Sequence, residues 1–171
     1  LPQHSEHTGA PTQLGSFYNI FDFDHPGIKQ LKISISEMIK EACEYYEIDY
    51  SSNNWGIHGW FNSDRKQLFG EGVNPVKYAK NYHDHMEGQG APYFHGYYCV
   101  EAEPSITFYK INREIDYENI NKNNRAIVSE TGHPHGRDDW FGEKNRITIA
   151  YDILPSKPEA KYDPFWQYLD E

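Results

Sequence analysis

Apolar residues recur along residues 21–49 at the spacing of one face of an α-helix. Asp24 can cap the start of this helix, and Pro26 lies near its first turn, where proline is tolerated. The apolar face is formed by Ile28, Leu31, Ile35, Met38, Ile39, Ala42 and Tyr46. We therefore predict one amphipathic helix in the first third of the chain, packed against a core through this face.

After the helix, the pattern changes to short runs rich in β-branched and aromatic residues, which are typical of strands. Residues 51–75 are mixed and predict short strands or turns around Trp55 and Trp60, and the tail predicts a short docked helix or loop. The clearest strand-like runs are YFHGYYCVEA, SITFYKI, RAIVSET and RITIAYDIL, at residues 93–102, 105–111, 125–131 and 146–154. A helix followed by such runs predicts a mainly β (α+β) domain, with strands in a double-stranded β-helix, or jelly roll.

The composition narrows the class of protein. The 171 residues suit a single domain, with an irregular arm over residues 1–15. The aromatic content of 16% argues against a disordered chain. The net charge of -10 argues against non-specific nucleic-acid binding and against an anionic membrane surface as partner.

Cys43 and Cys99 are too few cysteines for a disulfide scaffold, and we expect buried free thiols. The chain has no apolar run long enough to cross a membrane, and its first residues are too polar for a signal peptide. The expected location is the cytoplasm, and a homodimer is the default expectation for a soluble enzyme.

Two histidine-rich segments, NYHDHMEG at residues 81–88 and GHPHGRDDW at residues 132–140, indicate a metal site. Side chains at positions i and i+2 of a strand point to the same face. The pairs that fit this spacing are His83 with His85, His85 with Glu87, and His133 with His135. Two ligands from an early strand and one from a late strand would form the facial triad of a non-haem iron site. A single pair of this kind is also common on protein surfaces.

The last predicted strand places Arg146 and Thr148 on one face. A buried arginine is costly unless it meets an anion, and its guanidinium group fits a carboxylate bidentately. Thr148 can add a hydroxyl donor beside it. The alternative is an ordinary ion pair with a protein acid such as Asp152 or Glu143.

Residues 78–154 resemble the iron(II)- and 2-oxoglutarate-dependent oxygenases, specifically the small oxygenases of phages and marine bacteria. The stretch from residue 124 to residue 153 carries a Pro-His-Gly at residues 134–136, followed by Arg146 opening a last strand. The stretch from residue 82 to residue 100 carries the early histidine pair, with Gly96 and Tyr98 in the strand that follows.

The resemblance implies a jelly-roll fold with Fe(II) held by His135 and the early pair. It also implies that 2-oxoglutarate is bound by the iron and by Arg146, with Thr148 and Tyr98 nearby. The early motif of the superfamily is usually His-x-Asp or His-x-Glu. The metal ligands are therefore either His83, His85 and His135, or His85, Glu87 and His135.

The expected function is an Fe(II)- and 2-oxoglutarate-dependent dioxygenase that uses O2 to hydroxylate a small molecule or an amino-acid or peptide side chain. One alternative is a cupin-like dioxygenase or isomerase with three histidines and no cosubstrate. The other is a non-enzymatic jelly-roll binding module. The candidates to line the pocket are Tyr82, His95, Tyr97, Tyr98 and Trp140.

Overall fold

A computed structural model describes residues 18–64, 82–85, 93–111, 115–138, 140, 142–157 and 165–170. The predicted helix is present as α1, Pro26–Tyr45, with Pro26 as its first residue. The cap is His25 rather than the expected Asp24: the His25 side chain accepts a hydrogen bond from the backbone N–H of Gly27. The predicted arm at residues 1–15 lies outside the described residues.

Eight strands and two short 3-10 helices accompany α1 in the described part of the chain. The 3-10 helices are η1 (Ile20–Asp22) and η2 (Tyr50–Ser52). The strands are β1 (Gly56–Asp64), β2 (Phe94–Glu101), β3 (Ile106–Ile111), β4 (Ile115–Ile120), β5 (Ala126–Glu130), β6 (His135–Arg137), β7 (Arg146–Leu154) and β8 (Gln167–Tyr168). The described strands form a five-stranded sheet in the order β5-β2-β7-β1-β8 and a three-stranded sheet in the order β4-β3-β6. Every pairing between these strands is antiparallel.

Helix α1 covers one face of the five-stranded sheet. Leu31, Ile35, Ile39 and Cys43 of the helix share a buried cluster with apolar side chains of β1, β2 and β7. In β7, the residues of this cluster are Ile149, Tyr151 and Ile153. Since strand side chains alternate, Arg146, Thr148 and Asp152 lie on the opposite face of β7, which is turned toward the three-stranded sheet.

A second buried cluster joins the two sheets. Tyr97, Cys99 and Ala102 follow β2 along this face and pack with Tyr109 of β3. The Tyr97 hydroxyl donates to Asn121 Oδ1 at 2.8 Å, within a buried set of amide and hydroxyl groups. The fold therefore has three layers, and its polar interior lies between the two sheets.

The structure differs from the sequence predictions in β1 and in the tail. β1 is one continuous strand of 9 residues that pairs along its whole length with β7. The tail was predicted as a short helix or loop, but it contributes strand β8, which pairs with β1. Trp166 and Leu169 are buried beside this strand. Among the described helices, none combines the length and the apolar character that a membrane crossing requires. Cys43 and Cys99 are buried free thiols, as expected.

Candidate metal centre

Two of the candidate ligands are joined through their main chains. The backbone N–H of His83 donates to the carbonyl oxygen of His135 at 2.9 Å. The backbone N–H of His135 donates in turn to the carbonyl oxygen of His83 at 2.8 Å. His135 is also paired in register with Tyr109, so it is anchored between β3 and the segment at residues 82–85. The arrangement places the two imidazole rings side by side, with centres 4.3 Å apart.

The sequence-predicted histidines come together in the polar interior. His83, His85 and His135 each offer one nitrogen, and these three atoms all lie within 4.8 Å of one another. Two imidazole nitrogens bound to one ion at about 2.1 Å lie about 3 Å apart when they are adjacent. Small side-chain rotations are therefore enough to bring the three nitrogens onto one ion.

The orientation of His85 is set by a carboxylate. Its Nδ1 lies 2.9 Å from Oδ1 of Asp152, and both side chains are 16% exposed. Metal-binding histidines usually donate their second ring N–H to such a group, which fixes the tautomer and the plane of the ring. Contact through Nδ1 leaves Nε2 of His85 as the nitrogen available to an ion.

Burial and neighbouring charges shift the pKa values of His135 and His85 in opposite directions. Desolvation, followed by the neighbouring imidazoles, holds the pKa of His135 well below its ordinary value. Burial also acts to lower the pKa of His85, but the contact with Asp152 and the charge of Asp84 outweigh it, so this pKa is raised. The His135 ring is therefore neutral near pH 7, with a lone pair available for a metal ion. Its Nδ1 is buried and has no hydrogen-bond partner.

A fourth imidazole belongs to the same cluster. His95 of β2 is 2% exposed, and neither of its ring nitrogens has a hydrogen-bond partner. Its ring is stacked on that of His85 with centres 4.6 Å apart, and on that of His135 with centres 4.4 Å apart. Burial, followed by the other histidines of the cluster, holds the pKa of His95 well below its ordinary value.

Arg146 is buried and engaged with the protein. Its Nη1 lies 3.2 Å from Oδ2 of Asp64, and its Nε donates to the hydroxyl of Ser105 at 3.3 Å. Arg137 contacts the other carboxylate oxygen of Asp64, through Nη2 at 2.7 Å. Two guanidinium groups thus share one carboxylate, whereas the sequence suggested Asp152 or Glu143 as the protein partner of Arg146. Asp138 lies nearby, and burial raises its pKa.

The other predicted cosubstrate residues lie in different surroundings. Thr148 is buried on the interior face of β7, the face that also carries Arg146 and Asp152. Tyr98 packs against the cluster under helix α1, and its hydroxyl donates to Asn124 Oδ1 at 3.0 Å. Tyr98 therefore lies on the opposite face of β2 from His95. Glu87 lies outside the described residues.

Three further pocket candidates hydrogen-bond to groups other than the histidines. The hydroxyl of Tyr82 donates to Asp116, and that of Tyr97 donates to Asn121. The indole N–H of Trp140 donates to the carbonyl oxygen of Lys144 at 2.6 Å.

The sequence did not identify two residues that lie at the histidine cluster. His95 was only a pocket candidate, and Asp152 only a partner for Arg146. Strand alternation was the available signal for both. His95 shares a face with Tyr97 and Cys99, and Asp152 shares one with Arg146 and Thr148.

The donor set fits a divalent transition metal. Imidazole nitrogen suits zinc, copper, iron and nickel. The described cluster offers three half-buried imidazoles, one of them with an unpartnered nitrogen and one in contact with a carboxylate. A bound ion would satisfy the nitrogen of His135 that the protein leaves without a partner.

The comparison with known proteins gives matches among solved structures. The sequence matches no family model and no curated protein. One solved structure that resembles the chain is Fe(II)-HppE with the alternative substrate (S)-1-HPP, at 13% identity and a TM-score of 0.39 over 56% of this chain. Another is a non-heme monooxygenase, the ThoJ-Ni complex, at 7% identity and a TM-score of 0.41 over 67% of this chain. The matches span 42% and 47% of those two chains, which is less than half of each.

Proposed function

We propose that this protein is a metal-dependent oxygenase in which His83, His85 and His135 hold a single Fe(II). The observation that carries the proposal is the convergence of three imidazole nitrogens within 4.8 Å in a half-buried interior. Three ligands from a protein leave open positions on the ion, where dioxygen and a substrate can bind. Asp152 serves as the carboxylate that positions His85.

The strand arrangement supports a double-stranded β-helix as the scaffold. β1, β2, β5 and β7 lie in the five-stranded sheet, and β3, β4 and β6 lie in the other. The chain therefore crosses between the sheets after β2, returns after β4, and crosses twice more before β7. Such alternation is how a jelly roll is wound, and it places the histidines in the mouth between the sheets.

We further propose that 2-oxoglutarate is the cosubstrate, with its distal carboxylate at Arg146. Arg137 is two residues beyond His135 in β6, so their Cα atoms are about 7 Å apart. Arg137 and Arg146 both contact Asp64, so the strand that carries His135 also carries one of the two guanidinium groups. Two guanidinium groups on one carboxylate can accept a second anion, and Thr148 offers a hydroxyl on the same face.

Bound iron would supply the oxygen chemistry. The protein would position the substrate and exclude water from the site. Overall, 2-oxoglutarate and O2 yield succinate and carbon dioxide, and the second oxygen atom enters a C–H bond of the substrate as a hydroxyl group. The proposed substrate is a small molecule or an amino-acid or peptide side chain.

A second candidate is a three-histidine dioxygenase that uses no cosubstrate. The contact between Arg146 and Asp64 favours it, because the guanidinium already has a carboxylate partner. In this case Arg146 is structural, and the substrate binds the ion directly.

Anaerobic addition of Fe(II) and 2-oxoglutarate tests these proposals. A keto acid chelated to non-haem iron is expected to give a weak visible charge-transfer band. The band should be absent in His135→Ala and retained in His25→Asn, which alters a histidine that caps α1 and keeps a capping side chain. Succinate release under air then reports turnover.

The outcomes separate the candidates. Iron binding without the band would exclude the 2-oxoglutarate form and favour the cosubstrate-free dioxygenase. Absence of iron binding in the unaltered protein would overturn the oxygenase proposal and leave a binding module.

A further inference from the structure

The segment at residues 82–85 carries two of the three proposed ligands, His83 and His85, but it is part of none of the described strands. Its main chain is paired with β6 through the isolated bridge between His83 and His135. The side chain of His85 contacts Asp152 of β7. A protein binds its ion more weakly by the fraction of molecules in which the binding-competent conformation is present. Contacts that fix this segment therefore set the metal affinity.

Tyr82 provides a further attachment, directly before the first ligand. Its hydroxyl donates to Oδ1 of Asp116 in β4 at 3.0 Å. Nζ of Lys110 lies 3.3 Å from the same carboxylate oxygen and 5.0 Å from the centre of the Tyr82 ring. These three residues form the Tyr82 triad, in which each side chain contacts the other two.

Lys110 of β3 connects the triad to the segment that carries the third ligand. Its backbone N–H donates to the carbonyl oxygen of Pro134 at 2.8 Å, and Pro134 directly precedes His135. Its side chain lies over Tyr82, which directly precedes His83. One residue thus contacts the positions next to His83 and His135, through its side chain and its main chain respectively.

We propose that the Tyr82 triad positions His83 and His85 for the ion, with Tyr82 and Asp116 as positioning residues of the metal site. The proposal rests on the proposed function, since it concerns the same ion. The side chains of Lys110 and Asp116 are 33% and 49% exposed, so their ion pair alone adds little to the stability of the fold. The triad instead raises the fraction of molecules in which the early ligands lie beside the third.

A second triad of the same composition provides a matched control. The hydroxyl of Tyr50 donates to Oδ2 of Asp170 at 2.7 Å. Nζ of Lys40 lies 3.5 Å from Oδ1 of Asp170 and 5.1 Å from the centre of the Tyr50 ring. These residues belong to α1, η2 and the tail, and none of them adjoins a proposed ligand in the chain. Tyr50→Phe therefore removes the same kind of hydrogen bond away from the ligand segments.

The test measures the binding and release of Co(II) by the full chain. The variants are Tyr82→Phe, Asp116→Ala and the two changes combined, with Tyr50→Phe as the control and His135→Ala as the reference for a lost ligand. Competition with a chelator gives the affinity, and the decay of the Co(II) absorption in excess chelator gives the release rate. The melting temperature of each metal-free protein is measured in parallel.

We expect Tyr82→Phe to weaken Co(II) binding by about 3–10-fold, the range for one lost hydrogen bond, and to release the ion correspondingly faster. The double variant should lose no more affinity than Asp116→Ala, because both changes remove the same contact. Tyr50→Phe should keep the affinity of the unaltered protein. The metal-free Tyr82→Phe protein should melt no lower than metal-free Tyr50→Phe, which separates positioning from failure to fold.

Unchanged affinity and release in Tyr82→Phe would overturn the proposal and leave the oxygenase proposal intact. An equal loss of affinity in Tyr50→Phe would also overturn it, since the effect would then come from general stability. Additive losses in the double variant would show that Tyr82 and Asp116 do not act together. If the unaltered protein binds no Co(II), both proposals fail. The expected losses without dioxygen consumption by the iron form would retain the triad and reject the oxygenase.

Discussion

Nδ1 of His85 lies 2.9 Å from Oδ1 of Asp152. His85 belongs to the short segment at residues 82–85, and Asp152 lies near the end of β7. The contact ties a candidate metal ligand on a short segment to a central strand of the five-stranded sheet. Since β7 pairs with both β1 and β2, the carboxylate sits on one of the best-supported elements of the fold. The direction in which His85 presents its free nitrogen is therefore set by the sheet.

Asp152→Asn should weaken metal binding by about 10–100-fold, because the amide keeps the shape of the side chain but loses the charge that orients and polarises the imidazole. Competition titration with Co(II) measures the change. Asp24→Asn is the matched control, since Asp24 is an exposed acid whose partner is Lys29. Equal affinities in all three proteins would contradict a positioning role for Asp152.

Asp64→Asn should lower the free energy of unfolding by about 3 kcal/mol, because removing one partner of a buried ion pair leaves charge uncompensated. The side chains of Asp64 and Arg146 are 5% and 6% exposed, and Arg137 depends on the same carboxylate. Urea unfolding measures the loss. Glu101→Gln, which breaks an exposed pair with Lys144, should change stability little. A similar small change in Asp64→Asn would show that the carboxylate is dispensable.

Gly96→Ala should destabilise the protein by about 1–3 kcal/mol, as overpacked cores do. A Cβ at Gly96 would lie 2.1 Å from the carbonyl oxygen of Ile127 and 2.6 Å from the ring of Tyr151. The ring is held in place because its hydroxyl donates to the same carbonyl at 2.8 Å. Gly132→Ala is the control, since no atom lies within 4 Å of its Cβ position. Thermal melting that ranks the two variants equally would refute this packing.

Stability in acid should depend on Asp170. Burial acts to raise the pKa of this carboxyl, but the hydroxyls of Ser36 and Tyr50 and the charge of Lys40 outweigh it and hold the pKa below its usual value. A carboxyl with a lowered folded-state pKa stabilises the fold above its unfolded pKa of about 3.9, and this contribution is lost as pH falls through the lowered pKa.

Asp170→Asn removes that titration, so its free energy of unfolding should fall less steeply between about pH 5 and pH 3 than that of the unaltered protein. Urea unfolding at a series of pH values gives the two slopes. Ser36→Ala removes one donor and should give an intermediate slope. Parallel curves for the unaltered protein and Asp170→Asn would show that the carboxyl titrates alike in both states.

The helix and the strongest strands were predictable because their apolar periodicity is local. The helix ends at Tyr45, before the end of the predicted stretch, and Glu47 adopts a positive φ of 57° in the turn that follows.

β1 was not predicted as one strand, because its glycines, Asn62, Ser63 and Asp64 are poor strand formers. Pairing with β7 along its whole length stabilises it despite this composition.

The candidate metal site was predictable only in part. The spacing of His83 and His85 is a local pattern, and both lie beside His135 in the structure. The position of His95 beside them depends on the approach of the two sheets, which no local pattern specifies. The same holds for Asp64, whose two arginine partners come from distant strands.

The reciprocal backbone bonds of His83 and His135 have a consequence for folding. They join two segments that are far apart in the chain, so the site forms only after non-local closure, which is a slow kind of step. An ion that binds the closed site more tightly than the open chain stabilises the native state by about 1.4 kcal/mol for each tenfold excess over its dissociation constant. The imidazoles proposed to bind the ion would then also hold two distant segments of the chain together. The lifetime of the folded state would depend on the concentration of available metal.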